Sequence, residues 1–126
     1  MKKLTLIIEK ADHGFFGRIT YNENLIAEEA NTLIKLEDNI KKAIKKYHGL
    51  KVDEIQFEHK YDLSALFEKF DYLKISNVAE IAGINASLLR QYVIGNKQAS
   101  ASQAKKIENT IHKIGKELLQ IQVYGK

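Results

Sequence analysis

The sequence has no cysteine and no proline, and no apolar run approaches the ~18 residues needed to span a bilayer. Without cysteine the chain forms no disulfides and holds no metal through thiolates, which fits a reducing compartment. The opening Met1–Leu4 carries two lysines, but its apolar stretch is short and no small-residue cleavage site follows, unlike a secretory signal peptide. We therefore predict a cytoplasmic protein with no membrane partner.

Charge is unevenly distributed along the 126 residues, whose formal net charge is +4. Residues 1–71 contain 12 lysines and arginines against 13 acidic residues, whereas residues 72–126 contain 8 against 3. A near-neutral first half and a cationic second half predict that a polyanionic partner meets the second half. The length accommodates one domain or two small ones.

The first half of the chain shows the alternation of a half-buried sheet. Apolar and polar residues alternate over residues 3–9 and again over 15–21, with a turn signal at Asp12–Gly14 between them, as in a hairpin. Residues 21–24 indicate a second turn before a short strand near residues 25–28. These segments predict three consecutive strands.

The period then changes to that of a helix. From Leu33 to Tyr47 apolar residues recur at steps of three and four, which predicts one amphipathic helix, capped by Asn31 or Thr32 and ended by Gly49. Alternation returns over residues 55–59 as a fourth strand. The predicted order is β-β-β-α-β, with the helix on one face of a small antiparallel sheet.

The alternation stops at Tyr61–Asp62, and the pattern beyond it is helical almost to the end, with no proline or glycine-rich linker. We therefore predict an α+β protein with two domains. Residues 1–61 form the sheet domain, and residues 62–126 form an all-α domain.

Residues 75–92 predict two short helices that cross over a glycine turn. Ser76 is placed to cap the first helix, and Gly83 to end it in the left-handed conformation. Ile84 plugs the turn, after which a second helix buries Leu89 and Tyr92. This is helix-turn-helix geometry.

The run apolar-Ala-x-x-small-Gly-apolar at Val78–Ile84, with apolar residues five and eight positions later, resembles the helix-turn-helix of the lambda-repressor/Cro (XRE-like) group. A helix over 63–70, the loop Gly95–Lys97 and a capping box at Ser100–Gln103 extend the resemblance over residues 62–116. A plain helical bundle is the alternative.

The resemblance implies that the second helix enters the major groove of operator DNA. The implied base-contacting residues are Asn85, Ala86, Ser87, Arg90 and Gln91. Arg90 is suited to guanine, and Gln91 or Asn85 to adenine. The implied phosphate contacts are Asn77, Asn96, Lys97 and the backbone amides near Ser102 and Gln103. Arg90 has the alternative role of a solvated helix arginine.

The last helix has apolar residues at three-four spacing from Ala104 to Ile121. This seam either closes the core of the small domain or pairs with a second chain. One recognition helix reads only half of a two-fold site, so we predict a homodimer or a higher homo-oligomer.

The β-β-β-α-β order of the first half resembles the truncated RNase H-like domain of HicB antitoxins. Leu4–Ile8, Gly14–Ile19 and the helix opened by Thr32 fit that layout. The resemblance implies that residues 1–61 neutralise a HicA-type mRNA-cleaving toxin. It also implies that residues 62–126 repress the operon encoding both proteins.

The toxin-binding residues are expected near the first turn and the third strand: Asp12, Phe15, Phe16, Glu28 and Glu29. A pair of carboxylates suits a basic ribonuclease, although ordinary surface acids are the alternative. A Pro-Asp-x-Pro-Gly segment of the family is replaced here by Ile19–Asn22. The competing interpretation is a stand-alone repressor whose first domain serves dimerisation or ligand sensing.

The sequence offers little for catalysis. Two-metal nuclease chemistry needs several converging carboxylates, yet only Glu9 is well placed on a strand, and Asp12 and Asp38 have no clear partners. The four histidines have no ligand spacing. A nuclease with a DNA-targeting domain is a third possibility, but we predict no enzyme, no metal and no cofactor.

Overall fold

The computed structural model describes residues 2–126, except for the side chain of Val52, and has the predicted α+β class. Its contacts form two compact units, one ending at Lys69 and the other spanning Phe70–Lys126. In chain order the elements are β1 (Lys2–Lys10), β2 (Phe15–Tyr21), β3 (Asn24–Ala30), α1 (Leu33–His48), a 3-10 turn (Val52–Glu54), β4 (Ile55–Tyr61), α2 (Leu63–Lys69), α3 (Ile75–Ala82), α4 (Ala86–Ile94) and α5 (Ala101–Leu119).

The sheet of the N-terminal unit has the strand order β3-β2-β1-β4. The pairs β1–β2 and β2–β3 are antiparallel, but β4 runs parallel to β1. The prediction of an antiparallel sheet is therefore wrong for β4. The reason is the crossover: α1 carries the chain back over one face, so β4 starts from the same end of the sheet as β1.

The core of this unit lies between α1 and the covered face of the sheet. Leu36, Ile40 and Ile44 of α1 are fully buried, as their three-four spacing predicts. The side chains that meet them come from the inward positions of the strands: Leu6, Ile8, Phe15, Ile19 and Ile55. The sheet buries one side of each strand, as the alternation predicts.

Gly17 of β2 sets how closely α1 approaches the sheet. A Cβ at this position would lie 2.7 Å from Leu36 Cδ2 and 3.2 Å from Ile40 Cδ1. The absence of a side chain therefore lets the helix seat directly on the strand. Tyr47, predicted to continue the buried stripe, is instead 68% exposed, because it lies beyond the last buried turn and lines a cleft beside β3.

The ends of α1 follow the predicted caps. Thr32 Oγ1 accepts a hydrogen bond from the Lys35 amide at 3.2 Å, and Gly49 takes the left-handed conformation with φ 69°. Both groups satisfy backbone atoms that have no partner inside the helix.

The short helix α2 belongs to the N-terminal unit by its contacts. It packs against β1 and β4, and Ala65 is fully buried in the core of the sheet. Asp62 joins it to the sheet, because its amide donates to the Ile8 carbonyl at 3.0 Å while its Oδ1 accepts from the Ala65 amide at 2.7 Å. The division of the chain thus falls after Lys69, whereas the change of period had placed it at Tyr61–Asp62.

The C-terminal unit is built from α3, α4 and α5, and all its regular elements are helical. Helix α3 packs against both α4 and α5. The core of the C-terminal unit is formed by Val78, Ala79, Leu89 and Ile107, each at most 2% exposed. A small residue at Ala79 permits the close approach of a neighbouring helix.

The turn between β1 and β2 provides a stability test. Gly14 has φ 92°, and a Cβ there would lie 2.2 Å from the Ala30 carbonyl oxygen, whereas a Cβ at Gly49 meets nothing within 4 Å. Gly49→Ala should cost about 1–2 kcal/mol for the left-handed conformation alone. Gly14→Ala should cost clearly more, because the backbone between β3 and α1 must move. Urea unfolding followed by circular dichroism measures both, and equal losses would contradict this packing.

Candidate functional site

The turn between α3 and α4 is fixed by main-chain hydrogen bonds. Gly83 adopts φ 72° and ψ 33°. Its amide donates to the Glu80 carbonyl at 3.2 Å, and the Ile84 amide donates to the Ala79 carbonyl at 2.9 Å. This pair of bonds is the Schellman motif. Ile84 is 8% exposed, which matches the predicted plug of the turn.

Helix α3 begins earlier than the sequence suggested. Its N-cap is Lys74, which makes no side-chain capping bond, and the helix starts at Ile75. Ser76 therefore lies inside the first turn and does not cap the helix. Asn77, expected near the start of this helix, is exposed on its first turn.

Asn85 is the N-cap of α4. Its Oδ1 accepts from the amides of Ser87 at 2.8 Å and Leu88 at 3.2 Å. A bidentate contact with adenine needs that oxygen as an acceptor, but both of its lone pairs are already engaged. Asn85 thus holds the start of the helix, and only its amide nitrogen remains free to donate.

Helix α4 has one buried side and one exposed side. Leu89 is fully buried, while Ser87 and Arg90 are exposed and Ala86 and Gln91 are half-buried. Within residues 2–126, Arg90 makes no ion pair with another side chain. The exposed side therefore presents a hydroxyl, an amide and a free guanidinium group.

The loop after α4 is tied to the helix by its main chain. Gly95 has φ 86°, and its amide donates to the Tyr92 carbonyl at 3.2 Å. The Gln91 carbonyl then accepts from the amides of Asn96 at 2.9 Å and Lys97 at 3.3 Å. Asn96 and Lys97 are exposed, so a cation and an amide are held at a fixed place beside the end of α4.

The predicted capping box at the start of α5 forms only in part. Ser100 Oγ accepts from the Gln103 amide at 3.1 Å. The reciprocal bond is missing, because Gln103 Oε1 is buried without a hydrogen-bond partner. The backbone amide of Gln103 is engaged by Ser100, whereas the backbone amide of the exposed Ser102 lies in the first turn of α5, where backbone amides suit an anion.

A second surface is the face of the sheet that α1 does not cover, here called the open face. Its central row crosses three strands, because Glu9 pairs with Phe16 and Phe16 with Glu29. Phe16 is 46% exposed, and the Arg18 guanidinium forms an ion pair with the Glu9 carboxylate. The open face thus presents an aromatic ring flanked by two acidic residues, one of them neutralised.

The five residues expected near the toxin face do not lie together. Phe15 is 7% exposed and belongs to the core, so its place in a docking surface is wrong. Glu28 pairs with Gly17 on the covered side and lines the cleft beside β3, and Asp12 is exposed in the first turn. Phe16 and Glu29 remain as neighbours on the open face, because they pair across β2 and β3. Phe15 and Glu28 point to the other face, because consecutive strand residues alternate.

Groups with displaced pKa values lie outside both surfaces. Burial, and then Glu37, raises the pKa of the Tyr61 hydroxyl, while the hydrogen bond from Lys42 lowers the pKa of Asp38. The His59 ring contacts the Glu37 carboxylate. In the described part of the chain, no three histidine or acidic side chains form a metal-binding group, and no helix is long and apolar enough to cross a membrane.

Comparison of the chain with protein-family models, with curated proteins and with solved structures finds no match. The two surfaces are therefore interpreted from the residues of this chain alone. Both present side chains suited to recognising a macromolecule.

The cap of α4 can be tested separately from any contact with a ligand. Asn85→Ala should lower the free energy of unfolding by about 0.5–2 kcal/mol, because two amides lose their acceptor. Asn85→Ser keeps a capping oxygen and should change stability little. Urea unfolding compares the two variants with the original chain, and an equal loss for both would show that the side-chain oxygen does not stabilise α4.

Proposed function

We propose that this protein is a cytoplasmic antitoxin that also represses its own operon. The C-terminal unit binds operator DNA as a lambda-repressor-like helix-turn-helix. The N-terminal unit, a HicB-like domain, neutralises a HicA-type mRNA-cleaving toxin. The proposal includes no catalytic activity and no cofactor, since both surfaces offer groups for recognition.

The observation that carries the DNA-binding proposal is the glycine turn followed by the exposed side of α4. Gly83 bends the chain in a Schellman motif, and Arg90 is exposed although the preceding Leu89 is fully buried. A helix presented in this way fits the major groove. Arg90 then suits the two acceptors of guanine, with Ser87 and Ala86 near the base edges and Gln91 facing an adenine.

The phosphate contacts follow from the loop after α4 and from neighbouring helices. Lys97 and Asn96 are held against the end of α4 by the Gln91 carbonyl, and Asn77 and Ser102 lie in the first turns of α3 and α5. Residues 72–126 carry 8 basic and 3 acidic residues. This charge supports binding to a polyanion whatever its sequence.

The toxin-binding proposal rests on the row Glu9–Phe16–Glu29. An exposed aromatic ring buries apolar area at an interface at little cost in side-chain entropy. Glu9 is paired with Arg18, so Glu29 is the acidic residue beside the ring that favours a basic partner and steers its approach. A small basic ribonuclease fits this surface, with Phe16 at the centre of the contact and Glu29 at its rim.

A homo-oligomer is part of the proposal, because a two-fold protein matches a two-fold operator. Exposed apolar residues at the end of α5 and beyond it favour such association: Leu118, Leu119, Ile121, Val123 and Tyr124. Scattered apolar residues are normal on a surface, but a cluster of this kind marks an interaction site.

The alternative function is a stand-alone repressor whose N-terminal unit serves dimerisation or ligand sensing. The cleft between β3 and α1 is the observation that favours it. The two functions differ in one requirement: only the antitoxin needs a protein partner that is encoded by a neighbouring gene.

DNA binding is tested by gel shifts with the DNA upstream of the chain's own coding sequence and with scrambled DNA of equal length. Arg90→Ala should weaken binding to the upstream DNA by about 10- to 100-fold, the value of one bidentate base contact, and leave binding to scrambled DNA nearly unchanged. Lys97→Ala should weaken both and lower the salt slope by about one.

Lys35→Ala, on the exposed side of α1, is the matched control for a lost positive charge and should change neither affinity. Unchanged binding of upstream DNA by Arg90→Ala would overturn the proposed docking of α4.

Toxin binding is tested by co-expression with the product of the neighbouring gene, measured by growth rescue and co-purification. Phe16→Ala should lose both, since the ring supplies the apolar contact. Thr20→Ala, an exposed change on the same strand and face, should keep both. Equal rescue by the two variants would contradict an interface centred on Phe16. If the product of the neighbouring gene does not bind even the original chain, the result would favour the stand-alone repressor.

A further inference from the structure

Strand β3 is an exposed edge of the sheet. It is the first strand in the order β3-β2-β1-β4, and its register with β2 is continuous over all seven residues, so no bulge turns it away. The usual protections of an edge are lysine, proline, a bulge or a covering element. The strand has neither lysine nor proline, and its only charged residues are Glu28 and Glu29.

A cleft runs beside this edge, between β3 and the last turns of α1. It has a volume of about 480 Å³ and is lined by residues 24–28 of β3 and by Ala43, Tyr47 and His48 of α1. Tyr47 and Leu25 are 68% and 67% exposed. A strand added to the edge of β3 would extend along this cleft, with Tyr47 beside it on the covered side of the sheet and Leu25, which pairs with Thr20, beside it on the open face.

We propose that the occupant of this edge is β3 of a second copy of the chain, paired antiparallel about a two-fold axis that lies midway between the two copies of Ala27. The two sheets then join into one sheet of eight strands. This inference concerns the N-terminal unit alone and does not depend on DNA binding or toxin binding.

The self-pairing register is selected by overlap and by charge. A two-fold axis perpendicular to the sheet keeps both α1 helices on one face. One residue must then lie opposite its own copy across the axis, since opposite residues share a face. Centring on Ala27 pairs all seven residues, with Leu25 opposite Glu29 and Ile26 opposite Glu28. Centring on Glu28 would set two carboxylates directly opposite each other, which is destabilising.

The register centred on Ala27 is also electrostatically complementary. Glu28 of one copy lies opposite Ile26 of the other, which lines the cleft. The last turn of α1 beside this cleft is basic, with Lys45, Lys46 and His48. Lys46 Nζ lies 5.2 Å from the centre of the Tyr47 ring, which places its charge at the cleft. Each copy therefore presents a carboxylate to the basic turn of the other.

The absence of cysteine permits a direct cross-linking test on the full chain. Ala27→Cys places one thiol of each copy on either side of the proposed axis, where opposite residues have Cα atoms about 4.5–5.5 Å apart, within disulfide reach. Thr20→Cys is the control, exposed on the same face but one strand inward, where the two copies would lie at least about 14 Å apart. Mild oxidation and non-reducing electrophoresis should convert Ala27→Cys, but not Thr20→Cys, into a covalent dimer.

A charge exchange tests the complementarity in the Ala27→Cys background. Adding Glu28→Lys should abolish most of the cross-linked dimer, because a lysine then faces the basic turn of the other copy. Adding Lys46→Glu to that variant should restore it. Circular dichroism checks that each variant is folded. If Glu28→Lys is unfolded, the comparison of Ala27→Cys with Thr20→Cys still tests the proposed pairing.

Absence of cross-linked dimer from Ala27→Cys, or equal yields from Ala27→Cys and Thr20→Cys, would overturn the proposal. Loss of DNA binding in Arg90→Ala with intact Ala27 cross-linking would separate this contact from the proposed operator binding.

Discussion

The packing of α1 on one face of the sheet is the constraint on which the N-terminal unit depends. Gly17 admits the helix to contact with the strand, and Leu36 and Ile40 fill the space above it. Because one helix covers only one face, the row around Phe16 stays in solvent. Because the helix returns the chain across the sheet, β4 pairs with β1 and β3 remains an edge. The open face around Phe16 and the exposed edge of β3 therefore both follow from the packing of α1 on the sheet.

In the C-terminal unit the corresponding constraint is the pair of left-handed glycines that bracket α4. Gly83 and Gly95 each end a helix with main-chain hydrogen bonds, and Asn85 supplies the side-chain cap at the start of α4. The position of this helix is thereby set by backbone geometry and by one amide oxygen. Its exposed side chains carry little of the stability and are free to serve recognition.

Much of the fold could be predicted from periodicity. Alternation identifies the strands and their buried sides, and the three-four spacing from Leu33 identifies α1, because both patterns reflect burial that the backbone geometry imposes. Strand direction could not be predicted in this way, since alternation is the same for parallel and antiparallel strands, and β4 is parallel to β1. The assignment of α2 to the N-terminal unit could not be predicted for a similar reason, because a helical period does not indicate which neighbouring element the helix packs against.

The candidate sites were less predictable, because they depend on which atoms are already engaged. Phe15 and Phe16 are adjacent in sequence, but the pleat sends one into the core and leaves the other in solvent. Asn85 carries a suitable side chain for base contact, yet its oxygen is occupied by the start of α4. The row Glu9–Phe16–Glu29 requires strand register, which no single strand encodes.

The Gln91 carbonyl oxygen accepts from two successive amides of the following loop, and the side chain of residue 91 takes no part in either bond. Replacing that side chain would leave the loop where it is. Under the proposed docking, the base preference of residue 91 can therefore change during evolution while the phosphate contacts of Asn96 and Lys97 are kept.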